Sequence, residues 1–146
     1  RISKLQKINA PGENAKAIVA MLLSAEATGN EAATFEMSTL NDLTERLSID
    51  AHYRDLLNFK ILLGSSEIMD LDERIKAFEG LSKPGNPFRL LAEEQMALIE
   101  LELGNTDNAI EKISQILLDS ELTAGLRNRA TQMLIALGKD PELINE

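Results

Sequence analysis

The sequence predicts an all-α chain, with helical hairpins repeated into a short right-handed α-solenoid and no strands. Three observations carry this expectation. Apolar residues recur at three- and four-residue spacing, and no segment sustains two-residue alternation. Residues 87–103 are apolar over a wide arc, whereas 107–118 carry a narrow stripe. That contrast marks an inner helix touched on two sides and an outer helix touched on one. Four glycines, Gly29, Gly64, Gly104 and Gly138, follow the broad segments at intervals of 35, 40 and 34 residues.

Taken in order, residues 1–8 read as the end of a helix, broken at Ala10-Pro11-Gly12. A helix over 13–28 places Ala17, Ile18, Met21, Leu22 and Ala25 on one face, and Gly29-Asn30 stops it. Another over 31–47 places Ala33, Met37, Leu40, Leu43 and Leu47 together. Asp50 is the expected N-cap of a helix over 52–63, whose broad arc includes Tyr53, Leu56, Leu57, Phe59 and Ile61 and which ends at Gly64. After a loop at 65–70, Leu71, Ile75, Phe78 and Leu81 mark a short amphipathic helix. Lys83-Pro84-Gly85-Asn86-Pro87 cannot continue it, and Pro87 suits the first position of the inner helix. That helix carries Leu91, Ala92, Met96, Ala97, Leu98, Ile99, Leu101 and Leu103. Its outer partner carries Ala109, Ile110, Ile113, Ile116 and Leu117. A further helix over 122–137 carries Leu126, Ala130, Met133 and Leu134 and ends at Gly138. Asp140-Pro141 opens a last short helix over 141–144.

The 146 residues are enough for one domain with a core. Aromatic residues make up only 3%, so Leu, Ile and Ala fill the interior. The net charge of −9 is spread evenly: residues 1–73 hold 7 basic and 12 acidic residues, and 74–146 hold 8 and 12. There is no basic arm or stripe to neutralise phosphates, which argues against nucleic-acid binding. With no cysteine, disulfides and thiolate metal sites are excluded. No apolar run approaches the roughly 18 residues that span a bilayer.

A self-similarity near 34 residues with two helices per unit resembles the tetratricopeptide repeat. Units of roughly 13–48, 50–82 and 87–120 follow, with 122–146 as a capping unit of one domain. Setting Gly104 at the fifteenth position places Ala97 and Ala109 at the two small-residue sites where paired helices approach. Tyr53 takes a large-residue position in the unit that contains Gly64, and Ala130 with Gly138 marks the cap. The other reading of the same residues is a helical bundle whose glycines only end helices.

Three phrases carry a closer resemblance: His52-Tyr53-Arg54-Asp55-Leu56, Pro84-Gly85-Asn86-Pro87-Phe88-Arg89-Leu90-Leu91-Ala92, and Gly125-Leu126-Arg127-Asn128-Arg129-Ala130. Over residues 29–137 the chain resembles the tetratricopeptide repeat-like family of bacterial inner-membrane proteins that includes the ancillary subunit of the SecYEG translocon. The resemblance implies a periplasmic, non-catalytic protein-binding domain. It also implies an anchor of about 20 apolar residues upstream of Arg1. The partners it implies are translocon components, exported chains or periplasmic chaperones. A soluble cytoplasmic scaffold or co-chaperone is the alternative reading.

No constellation of side chains points to catalysis, a cofactor or a metal. His52 is the only histidine and has no second His or Cys to complete a ligand set. Adjacent carboxylates at Asp72-Glu73 and Glu93-Glu94 diverge by about 100° on a helix, so solvated faces are expected there. Ser65-Ser66 has no partnered base, and Gly85-Asn86-Pro87 lacks the residues of a phosphate loop. What remains is the inner face of the stack. Positions 5, 9 and 12 of the inner helices are Arg54, Asn58 and Ile61, then Glu94, Leu98 and Leu101, then Asn128, Gln132 and Ile135. This mixture suits a peptide or partner helix. The alternative is that the aliphatic members pack under a neighbouring helix.

Overall fold

The computed structural model describes residues 2–5, 7–26, 45, 48–64 and 69–142. Every regular element among them is helical: α1 Ile2–Leu5, α2 Glu13–Glu26, α3 Ala51–Leu63, α4 Leu71–Leu81, α5 Arg89–Glu102, α6 Thr106–Leu117 and α7 Ala124–Ala136. No described residue lies in a strand. The expected helix over 31–47, apart from Glu45, and the calls on Gly29 and Ser65-Ser66 lie outside the described residues. The chain divides into two compact units, Arg1–Ile68 and Met69–Glu146.

In the first unit α2 packs against α3 around Ala17, Ile49, Leu57 and Ile61, with Ala20 and Met21 against that cluster. Asp50 stands at the N-cap of α3, as expected, but its side chain does not cap. Asn14 has taken it: Asn14 Nδ2 donates to Asp50 Oδ2 at 2.7 Å, and Asp50 N donates to Asn14 Oδ1 at 3.2 Å. The carboxylate therefore ties the start of α2 to the start of α3. Gly64 closes α3 with an ordinary φ of −85°.

In the second unit α5 packs between α4 and α6, and α6 packs on α7. Asp70 caps α4 by accepting from Glu73 N at 2.8 Å. The α5 helix starts at Arg89, two residues later than the expected first turn at Pro87. Asn86 explains the delay: its side chain accepts from Phe88 N at 2.8 Å and its backbone carbonyl from Arg89 N at 3.1 Å, so a tight turn through Pro87 precedes the helix.

The end of α5 is a Schellman turn. Asn105 N donates to Glu100 O at 2.8 Å and Gly104 N to Leu101 O at 3.0 Å, with Gly104 at φ +81°. The end of α7 repeats it: Lys139 N donates to Leu134 O at 2.9 Å and Gly138 N to Ile135 O at 3.0 Å, with φ +74°. Both glycines have open space where a Cβ would go, so the left-handed backbone, not crowding, demands glycine. The three residues after Glu102 reverse the chain, making α5 and α6 an antiparallel hairpin.

The wide and narrow arcs are realised. On one side α5 contributes Leu90 and Ala97 to a cluster with Ile113 and Ile116 of α6 and Leu126, Ala130 and Leu134 of α7. On the opposite arc it buries Ala92, Met96 and Ile99, while α4 buries Phe78 and Leu81. The α6 helix buries only Ala109, Ile113 and Ile116. Ala97 and Ala109 are both fully buried. Past α7, Asp140 Oδ1 accepts from Glu142 N at 3.0 Å, capping a single turn at Pro141-Glu142.

Candidate functional site

The inner-face positions divide between the two units. On α3, Arg54 is exposed and donates from Nη2 to Ile49 O at 3.3 Å, Asn58 is half-buried and Ile61 is buried. The other positions belong to the second unit, where α5 and α7 lie side by side. Arg129 of α7 meets Glu94 of α5 in a two-bond pair: Nε donates to Oε1 at 2.6 Å and Nη2 to Oε2 at 2.8 Å. At the start of both helices, Arg89 of α5 reaches Asp119 and Glu121 in the segment leading into α7. With Arg89 beside the segment that enters α7 and Glu94, further along α5, beside Arg129 on the second turn of α7, the two helices run parallel. Gly104 and Gly138 therefore lie at the same end of the unit.

Glu94 corrects two expectations. It is neither a solvated carboxylate nor a free groove residue: it is only 6% exposed, and both its oxygens are taken by Arg129. The charge-assisted bonds to Glu94 raise the affinity of the Arg129 guanidinium for its proton. Asp72 and Glu73 are exposed, as expected. One turn beyond Glu94, Leu98 is 37% exposed, and Leu101 is half-buried. Across from them Asn128 and Gln132 are exposed on successive turns of α7, and Ile135 is 60% exposed. These positions thus present aliphatic and amide side chains on α5 and α7, and the Glu94 charge one turn before Leu98 is neutralised by Arg129.

A second concavity lies at the parallel starts of α5 and α7. It is a cleft of about 350 Å³ between the Pro84–Pro87 corner and the α6–α7 connection. Gly85 turns the corner at φ +86°. Arg89 Nη1 and Nη2 each donate to Asp119 at 2.9 Å, Nη2 also donates to Glu121 at 2.7 Å, and Glu93 lies 3.5 Å from Nη1. These bonds hold Arg89 charged far beyond its ordinary range. The Arg89 bond, followed by the bond from Glu121 N, pulls Asp119 below its usual value. Burial pushes Glu93 up, against the pull of Arg89.

These ion pairs are not among the features read from the sequence, where Arg89 stands only within one of the three resembling phrases. The available signal was periodicity: Glu94 and Arg129 are 35 residues apart, close to the 34 that separate Gly104 from Gly138. In stacked parallel helices, one period apart means adjacent.

His52 is exposed on the first turn of α3, with its ring edge-on to Tyr53 at 5.9 Å. Among the described residues no three His, Asp or Glu side chains converge as a metal site, and no helix is long and apolar enough to cross a membrane. No family model, curated protein or solved structure matches the chain.

Proposed function

We propose that the chain is a tetratricopeptide-like repeat module that binds protein and catalyses nothing. In this reading α5 and α6 form one repeat, α7 opens the next, and the shared α5–α7 face is the binding surface. The observation that carries it is the Glu94–Arg129 pair, which joins residues 35 apart on parallel helices that both end in a Schellman glycine. A repeat stack brings equivalent helices together in this way. Leu98, Leu101, Asn128 and Gln132 then supply apolar contact and amide hydrogen bonds to a segment lying across them.

The place of action rests on the three resembling phrases. They support the periplasmic face of a bacterial inner membrane, beside the Sec translocon, with translocon components, exported chains or periplasmic chaperones as partners.

The test is a variant carrying Leu98→Asp and Gln132→Glu, both in the second unit, compared with the unaltered chain by chemical crosslinking in bacterial membranes. Leu98 is partly exposed, so the fold should survive, and circular dichroism checks this first. The folded variant is expected to lose the adduct with the translocon or an exported chain. Retention of that adduct would remove the face from binding.

A further inference from the structure

The cleft at the starts of α5 and α7 has no part in the reading above. Its floor is aliphatic: Leu90 and Leu126 are buried there and Leu91 is half-buried. Its volume, about 350 Å³, lies at the small end of ligand sites, which run from about 300 to 1,000 Å³. That is room for one large aliphatic side chain and part of its backbone. Glu121 forms the rim and its side chain is 69% exposed. Its Oε2 accepts from Arg89, while Oε1 takes no hydrogen bond among the described residues.

The charge around the cleft selects the occupant. Arg89 is not free to attract an anion, because Asp119, Glu121 and Glu93 already share its guanidinium. Within this ion-paired cluster three carboxylates, Glu93, Asp119 and Glu121, share the one guanidinium of Arg89, and Lys112 is a further cation felt by Glu93. A second copy of the chain, at net charge −9, would be repelled. We propose that the cleft seats one aliphatic side chain of a protein segment and that a neighbouring Lys or Arg of that segment pairs with Glu121. This rests on the protein-binding reading and adds to it a second point of contact and a charge preference. The partner is thus a segment in which cationic and aliphatic residues stand side by side.

The probe is the peptide acetyl-Lys-Leu-Leu-Lys-amide, titrated into the 146-residue chain and followed by amide ¹H–¹⁵N NMR. Gly85, Asn86, Leu91 and Thr123 are expected to shift. Acetyl-Glu-Leu-Leu-Glu-amide and acetyl-Lys-Ser-Ser-Lys-amide should bind more weakly, since each lacks one half of the match. Glu121→Gln should weaken the first peptide by about two- to fivefold, as loss of an exposed ion pair does, and leave the Glu-containing peptide unweakened. Because the peptide series uses the unaltered chain, the outcome does not depend on the variant's fold. Equal shifts with all three peptides, or no shift at any concentration, would overturn the proposal. Shifts confined to Leu98, Asn128 and Gln132 would overturn the cleft while leaving the α5–α7 face intact as a binding surface.

Discussion

Arg129→Ala should destabilise the second unit by more than an exposed arginine usually does. Glu94 is 6% exposed, and each of its carboxylate oxygens accepts from this one guanidinium, at 2.6 and 2.8 Å. Removing one partner of a fully buried pair costs about 3–5 kcal/mol, because the other charge is left without compensation. Here the Arg129 side chain is half exposed, so water can enter the space it leaves and solvate part of the Glu94 carboxylate. That brings the expected cost to roughly 1–3 kcal/mol. For a unit of this size it corresponds to a fall of about 4–24 °C in melting temperature. Glu94→Gln should cost less, since an amide keeps one acceptor for Arg129 and carries no charge to strand. Replacing both residues with Met should restore much of the loss. Urea unfolding followed by helical circular dichroism measures all three. An Arg129→Ala variant within about 0.5 kcal/mol of the unaltered chain, the range of ordinary surface changes, would show that α7 does not cover Glu94.

Other perturbations probe the same unit. Ala97 has no exposed surface and sits in the cluster with Ile113 and Ile116, so Ala97→Leu should cost about 1–3 kcal/mol by overpacking. An unchanged thermal melt would mean the site is open. Among the described residues, Arg74 is buried, its Nε has no hydrogen-bond partner, and its one ion pair is with the exposed Glu102 at 3.6 Å. Arg74→Met should therefore be neutral or stabilising, and a loss above about 2 kcal/mol in urea would contradict that. Acid titration should show two opposed effects. Glu93 is raised when folded, so its contribution to stability improves as pH falls through its folded value toward about 4.3. Asp119 is lowered, so its contribution is present above about 3.9 and is lost as pH falls through its folded value. Glu93→Gln should remove the first effect and leave the second; identical stability–pH curves for variant and unaltered chain would refute the assignment.

Much of the second unit was legible because its signals are local. The wide arc of 89–102 and the narrow stripe of 106–117 follow from side chains three and four apart, and Gly104 and Gly138 mark turns that need a left-handed residue. What was not legible depends on which side chain wins a shared partner. Asp50 has the right type and place for a cap, but Asn14, 36 residues earlier, takes its carboxylate. Asn86 moves the start of α5 past Pro87 by bonding two successive backbone N–H groups. Glu93 and Glu94 look alike in sequence, yet their 100° divergence sends one toward Arg89 and the other under Arg129. The face of Leu98, Asn128 and Gln132 was marked out by register alone, and register missed that Glu94 between them is already neutralised.

The most direct measurement is site-specific photocrosslinking in bacterial cells. A photoreactive phenylalanine analogue replaces Gln132, exposed on α7, and in a second strain Glu111, exposed on the outer helix α6. Binding across the α5–α7 face predicts adducts with translocon subunits or exported chains from position 132 and none from 111. Adducts from 111 alone, or equal adducts from both, would contradict it.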